Sequence, residues 1–362
     1  MRLEPRSNVA IVHDYLSQRG GAERVVLSLS RLFPSAPIYT SFYAPELTYP
    51  EFKDLDVRTS DLQDRVDPDH FRRAVLQLPS AFSAMDLSSY ERVLISSSAF
   101  AHHVSHPNAG VYCYTPPRFL YDTATYLGSR AKAAAVWLPF EVLRRRDRRA
   151  ALAKRTYAAI SQQSSRRIQH AYHFSGDIIY PPLATAHLPS IPPALPSEPR
   201  ALVIARLLPY KRVDVAIRAC AAIGLGLTIV GEGPEEERLR SLGGGADVTF
   251  LGRIDDDELR QLFAQHSLVL IPGIEDFGYA PIEANYAGRP AVAIAAGGSL
   301  ETIDDGVNGQ LVDGWDLDAW AESLTAVLAR HWVPEQLRET TQRFHESSFH
   351  RSVSDWLDHS LD

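Results

Sequence analysis

The stretch Glu275-Asp-Phe-Gly-Tyr-Ala-Pro-Ile-Glu283 places two carboxylates eight positions apart around a central glycine. An apolar run at 268–272 precedes it and predicts a buried strand, and the run 283–288 after it predicts a short helix. We therefore expect Glu275 in the loop at the carboxyl end of a strand and Glu283 in the first turn of the next helix. In a parallel α/β sheet that edge is where ligands bind. Carboxylates there can accept hydrogen bonds from sugar hydroxyls, and the amides around Gly278 suit a phosphate.

The same strand-then-helix rhythm runs along both halves of the chain and predicts parallel βαβ units. The composition changes between the halves, where residues 181–199 hold seven prolines and predict a stiff, extended connector. The expected fold is α/β, with two doubly wound Rossmann-like domains that face each other across a cleft. We assign residues 1–182 to the first domain, 183–199 to the linker and 200–343 to the second domain.

Composition excludes several classes of protein. The chain has 362 residues with a net charge of −7, so it lacks the surplus of Lys and Arg that broad nucleic-acid binding needs. Two cysteines cannot form a disulfide framework, and no apolar run reaches the length of a membrane span. We expect a cytoplasmic protein and leave open a location at the inner face of the membrane.

Six short motifs follow one another in a fixed order. They are Gly20-Gly-Ala-Glu23, Ala205-Arg-Leu-Leu-Pro-Tyr-Lys211, Val230-Gly-Glu-Gly-Pro-Glu235, Phe250-Leu-Gly-Arg-Ile254, Glu275 to Glu283, and Gly297-Gly-Ser-Leu-Glu-Thr-Ile303. Through this series the chain resembles the retaining glycosyltransferases of the GT-B fold, family 4, over nearly its full length. The resemblance implies that the final helix, 344–362, packs back on the first domain.

The resemblance implies a donor site made mostly by the second half of the chain. Arg206 and Lys211 would hold the donor diphosphate, Glu275 the transferred sugar and Glu283 the ribose. Two cations near a strand end also suit a departing diphosphate on physical grounds. The remaining residues expected at the donor are Gly20, Gly21, Gly233, Ile254, Phe277 and Gly278. The resemblance implies no obligatory cofactor beyond the nucleotide-diphosphate sugar, which is a substrate.

The first half offers less certain residues. In many relatives a histidine near position 102 or 103 contacts the transferred sugar. Adjacent helical residues point about 100° apart, so at most one of the two should enter the site, and we favour His103. Asp14 could orient the acceptor or cap a turn. We expect no metal site, since no third ligand stands at a suitable spacing from the two histidines.

The segment 112–122 resembles a branch that acts in bacterial polysaccharide assembly, where a histidine often stands at the position of Tyr114. His102, Arg118, Asp122 and Asp14 are the acceptor-side residues that we infer. Residues 141–173 carry nine Lys and Arg against two acids, just after Trp137 and Phe140. This face could contact an anionic membrane that bears a lipid-linked acceptor, or it could be a solvated helix.

We predict a retaining glycosyltransferase that moves a hexose from a nucleotide-diphosphate sugar to a hydroxyl of a lipid-linked or other glycan by a front-face mechanism. The branch resemblance mildly favours GDP-mannose. A sugar-nucleotide epimerase and a non-catalytic subunit that binds a nucleotide sugar are the alternatives. A nicotinamide-dependent oxidoreductase would need G-x-G-x-x-G after the first strand, which Gly20-Gly21 does not supply.

Overall fold

The computed structural model describes residues 8–67, 74–128, 130–154, 156–186, 188–190 and 194–361. The chain divides into two compact units, of which the first is Met1–Pro182 with Glu346–Asp362 and the second is Leu183–His345. Each unit is built on one parallel sheet.

The first unit contains a seven-stranded sheet in the order β3-β2-β1-β4-β5-β6-β7. The strands are β1 (Val9–His13), β2 (Ile38–Thr40), β3 (Val57–Thr59), β4 (Arg92–Ser97), β5 (Ala109–Cys113), β6 (Thr156–Ala159) and β7 (Asp177–Ile178). All five residues of β1 are buried, as expected for a central parallel strand that is covered on both faces.

Seven helices of this unit precede the second unit in the part of the chain that the structure describes. They are α1 (Gly21–Leu32), α2 (Leu78–Ser83), α3 (Arg118–Tyr121), α4 (Thr123–Leu127), α5 (Arg130–Ala135), α6 (Trp137–Leu152) and α7 (Gln162–Tyr172). Helix α6 is the basic helix that the sequence predicts, and it begins at Trp137. Its buried positions are Leu143, Asp147 and Ala151, which recur every four residues and form one stripe.

The second unit contains a six-stranded sheet in the order β10-β9-β8-β11-β12-β13. The strands are β8 (Arg200–Ile204), β9 (Gly226–Val230), β10 (Val248–Gly252), β11 (Leu268–Ile271), β12 (Ala291–Ile294) and β13 (Gly309–Val312). The helices are α8 (Val213–Ala222), α9 (Glu236–Gly243), α10 (Asp256–Gln265), α11 (Tyr279–Tyr286), α12 (Ser299–Thr302), α13 (Leu317–Ala329) and α14 (Pro334–Glu339). The two sheets are the α/β fold class that the sequence predicts.

The last helix, α15 (Glu346–Leu361), lies in the first unit. The guanidinium of Arg92 pairs with Asp358 at 2.6 Å, and the ring of Phe349 lies 5.6 Å from that of Tyr112. A Cβ atom on Gly110 would come within 2.9 Å of the Trp356 ring. Glycine in β5 therefore leaves the space into which the helix packs.

Residues 183–199, which were predicted to be a separate linker, are grouped with the second unit, whereas Pro181 and Pro182 are grouped with the first. Carbonyls of this segment are held by arginines of the second unit. Arg260 donates to Ala186 at 2.8 Å, and Arg289 donates to Ala194 at 2.9 Å. Prolines lack backbone donors but keep their neighbours' carbonyls available, so arginine side chains can fasten the segment.

Candidate functional site

The strand order of the second sheet reverses between β8 and β11, which are adjacent. From β8 the chain continues to β9 and β10 on one side, whereas β12 and β13 lie on the other. All strand pairs described in this sheet are parallel, so the loops after β8 and β11 meet at the same edge. Such a reversal opens a crevice at the carboxyl ends of the strands, where ligands bind.

Two residues predicted for the donor site are paired at this reversal. Lys211 ends the short 3-10 turn Pro209–Lys211, and its Nζ donates a hydrogen bond to Oε1 of Glu275. The side chains are 15% and 24% exposed, so both atoms can still be reached from solvent. The next residue, Arg212, has a φ of 50° and turns the chain into α8.

Arg206 lies on the same loop and is exposed. It makes no ion pair with any other residue that the structure describes. Within the described ranges, Arg206 therefore supplies a cation whose charge is not already neutralised by a carboxylate.

The glycine at position 233 has a structural explanation. A Cβ atom there would lie 2.3 Å from the carbonyl oxygen of Leu207, which is too close for any side chain. The amide of Leu207 also donates to the carbonyl of Glu232 at 2.9 Å. Gly233 thus allows the loops after β8 and β9 to pack together, and its contact with a ligand stays a prediction.

The loop 275–278 is held by a pair of glycines on the loop after β12. The amide of Gly298 donates to the carbonyl of Glu275 at 2.9 Å. A Cβ atom on Gly298 would lie 2.1 Å from the carbonyl oxygen of Phe277. The ring of Phe277 is 3% exposed and packs 5.6 Å from Phe344, so only the backbone of Phe277 remains for a ligand.

Helix α11 begins at Tyr279, four residues before the run 283–288 that predicted it. Gly278, with a φ of 84°, ends the loop, and Tyr279 is the first helical residue. Glu283 is therefore the fifth residue of the helix, and the prediction that it lies in the first turn was wrong. It is half-buried.

Ile254 is half-buried in the coil after β10. It follows Gly252, which has a φ of 68° and accepts a hydrogen bond from the amide of Gly231 at 2.7 Å. The turn after β10 is thereby joined to the loop after β9, so Ile254 lies at the same sheet edge as the Lys211–Glu275 pair.

In the first unit, an acid covers the position predicted for a phosphate at Gly20 and Gly21. Gly20 is the N-cap of α1, and Oε2 of Glu23 would lie 2.6 Å from a Cβ atom on Gly20. Oε1 of Glu23 accepts from Gln18 at 3.0 Å, and the side chain is buried. An anion at this helix start would first have to displace Glu23, a residue whose role the sequence did not reveal.

Asp14 caps a turn, which was the second of its two predicted roles. Its Oδ1 accepts from the amides of Phe100 and Ala101, both at 2.7 Å. Its Oδ2 accepts from Ser98 at 2.5 Å and from Ala99 at 2.9 Å. Because four backbone donors occupy this buried carboxylate, neither oxygen of Asp14 is left to bind a glycan acceptor. We therefore withdraw Asp14 from the acceptor-side residues.

The two histidines do not behave as predicted. They lie in the 3-10 turn Ala101–His103, and their rings are 4.9 Å apart, so they point in the same direction. Nε2 of His102 is 3.0 Å and Nε2 of His103 is 3.6 Å from Oδ1 of Asp147. Neither ring is free to contact a sugar, and we withdraw His103 from the catalytic set and His102 from the acceptor-side set. The statement that no third ligand is at hand was also wrong, because Asp147 supplies one.

Burial and proximity shift the pKa values in this cluster. Burial lowers the pKa of His103, although Asp147 opposes the shift. Burial alone would raise the pKa of Asp147, but the two imidazoles outweigh it and hold the pKa below its usual range. Burial, reinforced by Asp147, raises the pKa of Tyr121, whose hydroxyl donates to Oδ2 of Asp147 at 2.8 Å. The carboxylate is therefore charged and the phenol protonated.

Arg118 and Asp122 form a second, partly exposed group at α3. Asp122 lies 3.7 Å from Arg118 and 3.8 Å from Arg167, with 31% of its side chain exposed. Nearby, the hydroxyl of Tyr114 donates to the carbonyl of Ala22 at 3.2 Å. These contacts keep Arg118 and Asp122 at the surface of the first unit, where the acceptor role remains a prediction.

Comparison with solved structures defines the fold. HepE of Anabaena, in complex with UDP and glucose, has a TM-score of 0.71 at 18% identity and covers 98% of this chain and 100% of its own. Sucrose-phosphate synthase from Thermosynechococcus elongatus has a TM-score of 0.74 at 17% identity and covers 98% and 99%. The chain has the GT-B glycosyltransferase fold, as predicted.

Sequence comparison finds a family match within the second half of the chain. Residues 190–344 match the family described as glycosyl transferases group 1. D-inositol 3-phosphate glycosyltransferase of Mycobacterium sp. (strain KMS) is 34% identical over 151 residues, which cover 38% of this chain and 34% of that relative. The match thus spans about a third of the relative's length. The family match lies within the second unit.

Proposed function

We propose that the protein is a glycosyltransferase that takes a hexose from a nucleotide-diphosphate sugar. The observation that carries this proposal is the Lys211–Glu275 pair at the strand-order reversal of the second sheet, with the unpaired Arg206 on the same loop. A cation and a carboxylate at one crevice match a substrate that carries a diphosphate beside a sugar. The group 1 match over 190–344 supports the same conclusion.

The chemistry follows from the charges. When the bond between sugar and diphosphate breaks, negative charge develops on the leaving phosphate oxygen. Arg206 and Lys211 would stabilise that charge, which is usually the largest contribution that a site makes to such a step. Glu275 would hold the sugar hydroxyls, and Glu283 those of the ribose. We propose that the acceptor hydroxyl attacks from the face that the diphosphate leaves, so that the anomeric configuration is retained.

The sugar and the base are the finer part of the proposal. We retain GDP-mannose as the favoured donor because of the branch resemblance around residues 112–122. The solved relative HepE was crystallised with UDP and glucose, so UDP-glucose is the main competitor. The proposed acceptor is a hydroxyl of a lipid-linked or other glycan, with Arg118 and Asp122 on the acceptor side.

Thermal stabilisation by UDP, GDP, dTDP and ADP tests the donor site. A nucleotide at 100 times its dissociation constant should add about 2.7 kcal/mol to stability. One nucleotide should stabilise the wild type and fail to stabilise Glu283→Ala, while Glu237→Ala, an exposed acid on α9, should behave as the wild type does. Stabilisation by none of the four would remove the main support for a donor site.

A second assay separates transfer from the alternatives. The favoured donor is incubated with and without glycan acceptors, and the products are analysed by NMR. A transferase gives a new glycosidic bond whose anomeric configuration is read directly. Conversion of the donor sugar without acceptor would instead indicate an epimerase, and binding without turnover would indicate a non-catalytic subunit.

Membrane contact is a further part of the proposal. Among the described residues, no helix is both long and apolar enough to cross a bilayer. At the start of α6, however, Trp137 is 58% and Leu138 is 65% exposed, and Arg145 is exposed further along the helix. Exposed apolar residues next to cations are typical of a helix that lies on an anionic surface.

Sedimentation with vesicles tests this contact. We expect binding to vesicles that contain phosphatidylglycerol and weaker binding to phosphatidylcholine alone. Leu138→Ser should reduce binding, whereas Leu152→Ser, which is 60% exposed at the other end of α6, should not. Equal binding by both variants would show that the start of α6 is only a solvated surface.

A further inference from the structure

Three polar side chains meet inside the first unit. His102 and His103 come from the turn after β4, and Asp147 comes from the buried stripe of α6. Their side chains are 3%, 6% and 0% exposed. An acid in the inner stripe of a helix, where apolar residues are the rule, needs a reason.

The three facing atoms are close but do not form hydrogen bonds with one another. They are Nε2 of each histidine and Oδ1 of Asp147. The two nitrogens lie 3.0 Å and 3.6 Å from that oxygen, and one ligand atom of each residue lies within 4.8 Å of those of the other two. Within the described part of the chain none of them has a hydrogen-bond partner of suitable geometry. Buried polar atoms without partners are costly and rare, and three that converge on one point indicate that something can bind among them.

The distances suit a small tetrahedral cation. With bonds of about 2.0–2.1 Å, two ligands of a tetrahedral zinc ion lie about 3.3 Å apart. The two distances from Oδ1 of Asp147 to the histidine nitrogens, 3.0 Å and 3.6 Å, lie on either side of that value. Imidazole nitrogens combined with one carboxylate are ligands that zinc accepts in proteins.

The surrounding hydrogen bonds leave these atoms available. The hydroxyls of Tyr121 and Tyr172 donate to the other oxygen of Asp147, Oδ2, at 2.8 Å and 2.9 Å. On His102 the other ring nitrogen, Nδ1, lies 3.4 Å from the hydroxyl of Ser97. Partners on the far atoms of Asp147 and His102 orient these two ligands toward a metal.

The arginines of α6 do not occupy the cluster. Arg144 donates to the carbonyl of Leu120 at 2.9 Å, and Arg146 donates to the hydroxyl of Ser80 at 3.1 Å. Arg148 donates to the carbonyl of Ala171 at 2.8 Å. These three cations therefore donate to other groups, and no described residue forms a hydrogen bond with Oδ1 of Asp147.

We propose that His102, His103 and Asp147 bind a zinc ion, with water as the fourth ligand. The ion would join the turn after β4 to α6. Asp14 already ties residues 98–101 of the same segment to the end of β1. Zinc would thus complete the fixation of this segment from its other side.

The test uses the full chain without an affinity tag, stripped with a chelator and titrated with zinc sulfate against a competing chelator. We expect one zinc ion per chain by elemental analysis, and a cobalt-loaded form with the strong visible absorption of tetrahedral Co²⁺. His103→Gln should lower zinc affinity at least 100-fold. Tyr172→Phe, which removes one partner of Oδ2, should lower it about 10- to 100-fold.

His170→Gln is the matched control, because His170 is exposed on α7. It should retain the wild-type affinity. Absence of tight zinc binding to the wild type would overturn the proposal and leave a cluster that shares a proton, and so would unchanged binding in His103→Gln. If His103→Gln does not fold, the Co²⁺ spectrum of the wild type tests the proposal instead. A wild-type spectrum without tetrahedral bands would overturn it. Zinc binding is independent of transferase activity, so each proposal can fail alone.

Discussion

The ammonium of Lys211 donates a hydrogen bond to the carboxylate of Glu275, across the point where the strand order of the second sheet reverses. The lysine follows β8 and the glutamate follows β11, the two neighbouring strands at that point. A donor diphosphate would compete with Glu275 for the lysine, so the pair has to rearrange when the donor binds.

This competition predicts opposite effects of one substitution on two measurements. Glu275→Gln should tighten the binding of the free nucleoside diphosphate about fivefold, because a repulsion of roughly 1 kcal/mol between charges 4 Å apart in water is removed. Sugar transfer should fall about 100-fold, since the sugar loses a charged hydrogen-bond acceptor. Calorimetry with the diphosphate and a transfer assay measure the two effects.

Lys211→Met is the complementary variant and should weaken diphosphate binding. Glu237→Gln, on the exposed surface of α9, should change neither quantity. If Glu275→Gln does not tighten diphosphate binding, Glu275 and the diphosphate do not compete for Lys211.

The sequence predicted the fold class because its signals are local. Strand β11, for example, was predicted from the run 268–272 and is observed at Leu268–Ile271, since a short run of branched apolar residues between turn residues is a strong strand signal. Glu275 and Lys211 were both assigned to the donor, but their direct pairing depends on which strands are neighbours. Strand order depends on contacts between segments, so it cannot be predicted from any single segment.

The parts that were wrong depend on packing between distant segments. Asp14 follows β1 and caps the turn 98–101 that follows β4. One feature of the sequence does point to Asp147. It falls in register with Leu143 and Ala151 on the inner face of a basic helix. An acid at that position is an exception to the helical pattern, and such exceptions mark candidate sites.

Gly298 should be required for the shape of the loop after β11. In Gly298→Ala the new Cβ atom would lie 2.1 Å from the carbonyl of Phe277, so the two loops must separate. We expect a loss of about 2 kcal/mol in the free energy of unfolding, typical of overpacking, together with weaker donor binding. Urea denaturation and nucleotide titration measure both. Gly245→Ala, where no atom lies within 4 Å of the new Cβ, should cost much less, and equal losses in both variants would contradict the packing argument.

Asp14 should act on stability. In Asp14→Asn one carboxylate oxygen becomes an NH₂ group that faces backbone donors of the turn 98–101. We expect a loss of about 3 kcal/mol in the free energy of unfolding, because two buried amides lose a charged acceptor. Asp61→Asn, at a surface ion pair with Arg65, should change it by less than about 1 kcal/mol. A variant at position 14 that is as stable as the wild type but inactive would restore Asp14 to the acceptor site.

His266 should make the second unit sensitive to mild acid. Its Nδ1 donates to the carbonyl of Leu262 at 2.6 Å, and its Nε2 lies 2.8 Å from the hydroxyl of Thr228, which can donate to the neutral ring. Burial lowers the pKa of His266, and the nearby cations Arg200 and Arg289 lower it further.

Because the unfolded chain takes up a proton near its ordinary pKa of about 6.5 while the folded unit does not, stability should be complete above that pH and fall below it. The slope is at most about 1.4 kcal/mol per pH unit for one histidine. Urea unfolding of the wild type and His266→Gln between pH 7.5 and 5.5, followed by tryptophan fluorescence, should show a smaller decrease in the variant. His170→Gln, an exposed histidine, should keep the wild-type slope, and an identical slope in all three proteins would place the acid sensitivity elsewhere.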